Sequence, residues 1–188
     1  VRERLDASLS AYCIILNGIE QDLPFLASID SHIDLADEVI VTDGGSNDGT
    51  WEVLQKKYGS NPKVKLVSNP WDFGKPTMFG IQKTFSRRQC TGDWCWQFDC
   101  DEVVHEKDIP VIRGVIENNP AETMFTFGCI TFFGAGDRMD IVGENPIKWR
   151  LSRNLPWIEH NVAEQFRKYT PEGLLYMDKR QSDACEYV

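Results

Sequence analysis

Two acidic residues one position apart, Asp99 and Asp101, directly follow the apolar aromatic run Trp94-Cys95-Trp96-Gln97-Phe98. Residues two apart in an extended chain point to the same side. Strand geometry carried through Cys100 therefore puts both carboxylates in one space and turns the thiol away. Paired oxygen ligands at a strand end suit Mg²⁺ or Mn²⁺, which take carboxylate, water and phosphate oxygens. A cation there neutralises a diphosphate and makes it a better leaving group. A second cluster, Asp43-Gly44-Gly45-Ser46-Asn47-Asp48-Gly49-Thr50, follows the apolar run Glu38-Val39-Ile40-Val41-Thr42. Its glycines admit close backbone approach and its small polar side chains offer hydrogen bonds. Asp43, at the tip, is placed to accept from a nucleobase N–H or a ribose hydroxyl. No Gly-Lys-Ser/Thr follows, so this is not a phosphate-cradling P-loop. A third cluster, Asn17 to Glu20, follows Tyr12-Cys13-Ile14-Ile15-Leu16. Taken singly, each cluster also reads as an ordinary capped turn.

The elements between these clusters decide whether they meet. Tyr12 to Leu16, Glu38 to Thr42, Val64 to Val67 and Trp94 to Phe98 read as short buried strands. Helical spacing predicts helices over Pro24 to His32, Thr50 to Tyr58, Thr77 to Arg88 and Ile109 to Glu117, with Phe79, Ile81 and Phe85 partly inward. Met124 to Phe133 reads as one long β segment and Lys148 to Leu151 as a further short strand. From Gly134 onward the composition is otherwise loop-like. Strands that alternate with helices and are apolar on both faces predict an α/β fold with a mainly parallel sheet flanked by helices. In such sheets ligands bind beyond the carboxyl ends of the strands, and all three polar clusters lie there.

Composition narrows the partners. The chain has 188 residues, with 20 Lys plus Arg against 29 Asp plus Glu, a formal net charge of −9. That length suits one domain. The acidic balance argues against a nucleic-acid coat or a polybasic membrane anchor. No apolar run is long enough to cross a bilayer, and Val1 to Asp6 lacks the apolar stretch of a secretory signal. The chain begins without an initiator Met, as a piece of a longer protein would. Its six cysteines include no Cys-x-x-Cys pair, and reduced, mostly buried thiols in the cytoplasm are expected.

In order along the chain, Ile14-Ile15-Leu16-Asn17 with Glu20, then Val39 to Thr50, then Gln97-Phe98-Asp99-Cys100-Asp101-Glu102, resemble glycosyltransferase family 2. The match is especially to the short bacterial lipopolysaccharide and capsule-type members. It covers roughly residues 11 to 118 and then thins. It implies the GT-A fold, Rossmann-like, with a nucleotide-binding part over about 11–118 and an acceptor-side part over about 119–188. It implies a metal-dependent, inverting transfer of a sugar from a nucleoside-diphosphate sugar to a hydroxyl acceptor on a glycan or glycolipid. Leu16, Asn17 and Glu20 would line the nucleoside pocket, Asp43 would contact the base, and Asp99 would contact ribose or a water on the metal. Asp101 would bind Mn²⁺ or Mg²⁺ as the DxD ligand. Lys75 lies where members carry a Gly-rich or basic segment beside the donor. The chain departs from the family at Thr77-Met78, where members carry Arg-Asn, and at Gly44, which replaces the second Asp of the commoner Asp-Asp-Gly-Ser form. Trp149 to Asn154 and Trp157 to Asn161 also resemble this branch, and His160 would add a metal ligand or a diphosphate contact. His32 and His105 read as structural or exposed.

An inverting transfer needs a base for the acceptor hydroxyl. Asp137, Asp140, Glu144 and Glu159 are candidates by position, and Glu144 is favoured narrowly over Asp137. Trp71, Trp149 and Trp157 could stack on sugars, but such residues are more often core or interface. The resemblance implies a cytoplasmic enzyme, with peripheral membrane contact open. Two other readings fit the local residues: a haloacid-dehalogenase-type phosphotransferase, in which the strand before Asp99 would supply a nucleophile, and a non-catalytic nucleotide-sugar-binding module.

Overall fold

The computed structural model describes residues 7–132, 139–140, 147–160, 166–170 and 173–176. In chain order its elements are β1 (Leu9–Ile15), α1 (Phe25–Leu35), β2 (Glu38–Asp43), α2 (Thr50–Tyr58), β3 (Val64–Ser68), α3 (Met78–Arg87) and β4 (Trp94–Gln97). There follow α4 (Ile109–Asn118), β5 (Met124–Gly128), β6 (Thr131–Phe132), β7 (Met139–Asp140), β8 (Ile147–Arg153), β9 (Ile158–His160), β10 (Phe166–Thr170) and β11 (Gly173–Tyr176). A six-stranded sheet runs β3-β2-β1-β4-β8-β5. β1 pairs in parallel with β2 and β4, β2 in parallel with β3, and β8 is antiparallel to both β4 and β5. The strand order reverses between β1 and β4. Such a reversal opens a crevice at the carboxyl ends.

Alternation along the strands splits the packing. Leu9, Ala11, Cys13 and Ile15 of β1 join Val39, Val41, Trp94, Trp96 and Leu151 under α1, α2 and α4. Tyr12, Ile40 and Cys95 face the other way, with Cys90. On that second face α3 is unlike the sequence expectation. Phe79 and Ile81 are 47% and 42% exposed, while Gln82, Lys83, Ser86 and Arg87 are buried. The reason is polar satisfaction. Ser86 accepts from Thr42 Oγ1 at 2.9 Å and donates to the Cys13 carbonyl at 3.0 Å. Arg87 donates to the Arg153 carbonyl, and Gln82 accepts from Asn69 at 2.7 Å. With these polar side chains turned toward the sheet, Phe79 and Ile81 are left outside, while Phe85 is half-buried as expected and Met78 is buried.

Two further expectations change. The long β segment from Met124 is broken, with β5 ending at Gly128 and β6 pairing antiparallel with β7. The stretch after Gly134 is not simply loop. β8 is an interior strand of the main sheet, and β9, β10 and β11 form an antiparallel sheet of their own. The five described cysteines, at 13, 90, 95, 100 and 129, are free thiols. No described helix is long and apolar enough to cross a membrane.

Leu151 is fully buried in β8, opposite Trp96 and Phe125. Leu151→Ala is expected to cost about 2–5 kcal/mol, measured by urea unfolding. His32 is buried and stacked on Phe98 at 3.7 Å. Burial holds its imidazole neutral down to about pH 4, whereas an unfolded chain protonates it near 6.5. Between those values the unfolded state binds more protons, so stability falls as pH is lowered, by roughly 3 kcal/mol at the bottom of the window. His32→Gln is expected to flatten that slope in unfolding measured from pH 7 to 4.

Candidate active site

The loops after β1 and β2 are stitched together by the turn residues. Asn17 takes a left-handed conformation, φ 49°, which Asn tolerates better than most side chains. Its backbone N–H donates to Ser46 Oγ at 2.8 Å, and its side-chain oxygen accepts from the Asn47 N–H at 3.0 Å. Its amide donates to Glu20 at 3.1 Å, and the Glu20 N–H donates to Asp48 at 2.8 Å. The Leu16 carbonyl accepts from Gln21 at 2.6 Å. Leu16, Asn17 and Glu20 thus form one rim with the Asp43 loop.

Asp43 ends β2 opposite Ile15 and is 2% exposed. One carboxylate oxygen, Oδ2, accepts the Gly45 and Ser46 N–H groups, each at 2.9 Å. Its other oxygen is buried with no hydrogen-bond partner among the described residues. An unpaired buried acceptor is costly. Gly44 is explained by Trp71. A Cβ on Gly44 would lie 2.3 Å from the indole nitrogen, so the ring takes the space where the commoner form of the motif carries a side chain.

Asp99 to Glu102 is not an extension of β4. It is a turn, closed by the Glu102 N–H on the Asp99 carbonyl at 3.0 Å. Cys100 does turn inward, and its thiol donates to the Ile14 carbonyl at 3.2 Å. The two acids of the motif part company in this turn. Asp99 Oδ1 accepts from Lys83 Nζ at 2.8 Å and Gln97 Nε2 at 3.0 Å, and Oδ2 accepts from Arg150 at 3.1 Å. Burial alone would raise its pKa, but the Lys83 and Arg150 charges outweigh burial and hold the carboxyl well below the usual range. Arg150, 3% exposed, also donates to Glu102 and to Gln97 Oε1, and Lys148 donates to Glu102 at 3.0 Å. Asp101 is exposed and has no hydrogen bond or ion pair among the described residues.

Asp43 and the acidic turn share the carboxyl edge of the sheet, with β1 between β2 and β4. Two strand spacings place them about 10 Å apart. Lys75 is exposed in the loop after β3 and pairs with Asp72 at 3.6 Å. His160 is buried against α3, with Nε2 2.5 Å from the Tyr12 hydroxyl, and it feels the charges of Lys83, Asp99 and Arg150. Burial, then Lys83 and Arg87, keep its imidazole neutral. Glu159 is paired with Arg88. Trp149 is core, packed with Met124 and Ile158 and flanked by Trp157. Asp137 and Glu144 lie outside the described residues, as does the side chain of Asp140. Among the described residues no group of three or more His, Cys, Asp or Glu is arranged to hold a metal. The set still fits a cation of the Mg²⁺ or Mn²⁺ kind, which needs one or two carboxylates when phosphates and water supply the rest. Asp101 is the unengaged carboxylate at the turn. Sequence reasoning missed Lys83, Lys148 and Arg150. The signal was present as charges at alternate positions of an otherwise apolar strand, Lys148-Trp149-Arg150-Leu151.

Comparison with known proteins agrees with this geometry. The model of glycosyl transferase family 2 matches residues 23–169. The chain belongs to that family, and the match takes in the strand before Asp99, which sets the dehalogenase reading aside. It is 29% identical over 94 residues to the lipopolysaccharide core biosynthesis glycosyltransferase LpsC of Rhizobium meliloti, covering 50% of this chain and 32% of LpsC. Its fold is similar to S. aureus TarS 1-349 in complex with UDP-GlcNAc, with a TM-score of 0.56 at 15% identity, over 78% of this chain and 45% of that one. It is also similar to the mannosyltransferase PcManGT from Pyrobaculum calidifontis in complex with GDP-Man and Mn²⁺, with a TM-score of 0.51 at 17% identity, over 66% of this chain and 36% of that one. At such identities the structural likeness speaks for the GT-A fold alone. The chain spans about a third of the length of LpsC and less than half of these structures.

Gly44→Ala is expected to displace the Trp71 indole and cost about 1–3 kcal/mol, read from urea unfolding and tryptophan fluorescence. Adding Trp71→Ala should remove the clash, so the pair should be less than additive.

Proposed function

We propose that this chain carries the donor site of a metal-dependent, inverting glycosyltransferase, which moves a sugar from a nucleoside diphosphate to a hydroxyl of a glycan or glycolipid. The observation that carries the reading is the shared carboxyl edge: a buried carboxylate with one unpartnered oxygen, Asp43, and an exposed unengaged one, Asp101. In this reading Asp43 Oδ1 accepts an N–H of the base, and the Asn17 to Glu20 rim borders the nucleoside. Asp101 holds Mn²⁺ or Mg²⁺, which supplies charge neutralisation of the leaving diphosphate. Asp99 orders the turn beside it. Lys75 stands at the loop edge, where a sugar or phosphate would pass. Glu144 is the proposed base, with Asp137 next. Residues about 11–118 would form the donor half and 119–188 the acceptor half.

The names of the similar proteins support the substrate class. UDP-GlcNAc and GDP-Man are the ligands of two structural neighbours, Mn²⁺ accompanies one of them, and lipopolysaccharide core is the product line of LpsC. A lipid-linked acceptor would bring a cytoplasmic enzyme to the membrane surface.

The test is release of nucleoside diphosphate from UDP-, GDP- and dTDP-sugars, and of CMP from a CMP-sugar, with Mn²⁺ and a lipopolysaccharide-core acceptor. Asp101→Asn is expected to lower turnover by about 100-fold or more with no loss of thermal stability, since the side chain is exposed. Donor binding without turnover by the native chain would leave a binding module instead.

A further inference from the structure

The acidic turn holds three carboxylates in four positions, Asp99, Asp101 and Glu102, and two of them are saturated. Every carboxylate oxygen of Asp99 and Glu102 has a donor. Lys83, Gln97 and Arg150 serve Asp99, while Lys148, Arg150 and the Asp99 N–H serve Glu102. Arg150 alone reaches both acids and also Gln97 at the end of β4. Burying a guanidinium is expensive, and an apolar side chain of like volume is often no less stable in such a place. The charge cluster therefore has to be explained by geometry. Unclamped, three neighbouring acids would hold one cation in several competing arrangements. Clamped, they leave one.

We propose that Arg150 is a positioning residue for the divalent cation: by fixing Asp99 and Glu102 it presents Asp101 as the sole free carboxylate of the turn. This rests on the metal reading given above. Arg150 belongs to β8, which pairs antiparallel with β4 across Cys95 and Trp96. The cation site of the donor half is thus completed by a strand from the second half of the chain. Lys148, two residues earlier on the same strand, buttresses Glu102 and touches no part of Asp99 in the contacts described.

The experiment measures nucleotide affinity by titration calorimetry, with UDP and with GDP, in saturating Mn²⁺ and again in EDTA. The ratio of the two affinities isolates the cation's share. Arg150→Met is expected to change the Mn²⁺-dependent affinity by about tenfold or more, since it frees the two carboxylates beside Asp101 and removes a positive charge from the turn. The affinity in EDTA should stay within about twofold. Arg150→Lys keeps the charge but not the fork and should fall between. A residue that only supports the fold would lower both affinities together, or lower the melting temperature and leave the ratio intact, and that result overturns the proposal. Should Arg150→Met fail to fold, Lys148→Met, at a less buried position, decides. A changed ratio supports the clamp and an unchanged one overturns it. If neither nucleotide shows a Mn²⁺ effect with the native protein, the metal reading fails and the clamp with it. A native effect left unchanged by Arg150→Met overturns the clamp alone.

Discussion

Asp99 is the point on which this site depends. It is a half-buried carboxylate held ionised by Lys83 from α3 and Arg150 from β8, just past the end of β4. Burial works against its charge, and the charges of Lys83 and Arg150, with Lys148 behind them, reverse that. The consequence is architectural. α3 must dock on the sheet with its polar side inward to bring Lys83 to Asp99. β8 must pair with β4 in the observed register to bring Arg150 there. Lys83 of α3 and Arg150 of β8 thus converge on this one carboxylate.

The same economy governs the neighbouring loop. Asp43 spends one oxygen on two backbone N–H groups of its own turn and keeps the other in reserve. Asn17 ties that turn to the end of β1, and the thiol of Cys100 ties the acidic turn to the same strand. Three polar tips from separate parts of the chain are thereby held to one sheet edge by short hydrogen bonds. Loops already held in place by such bonds need not be ordered when a ligand arrives.

Much of this was legible in the sequence, and the parts that were not have physical reasons. The first four strands and the helices between them announce themselves by length, β-branched content and turn residues, and their bounds shift by only a few residues. Asp43 stands at the strand tip because the turn chemistry after it is explicit. What periodicity could not convey was α3. Its apolar residues suggest an inward face, yet Lys83, Ser86 and Arg87 are inside because partners for them arrive from β1, β4 and β8. A residue's own neighbours in sequence do not reveal a distant partner. Arg150 was passed over for the same reason, lying among aromatic residues that read as core. The Asp-x-Asp motif misled in one respect: extended geometry through Cys100 would aim both acids into one space, whereas Asp99 to Glu102 is a turn that engages Asp99 with Lys83 and Arg150 and leaves Asp101 exposed.

The central claim is that a divalent cation sits at the acidic turn, within reach of the Asp43 loop. Paramagnetic broadening of backbone amide signals by substoichiometric Mn²⁺, in the presence of a nucleoside diphosphate, tests it most directly. The account predicts that Gly45, Ser46 and Cys100 to Glu102 broaden first while signals at the opposite edge, near Asp37 and Arg113, persist. Broadening centred on Asp37 and Arg113, with the acidic turn untouched, would contradict it.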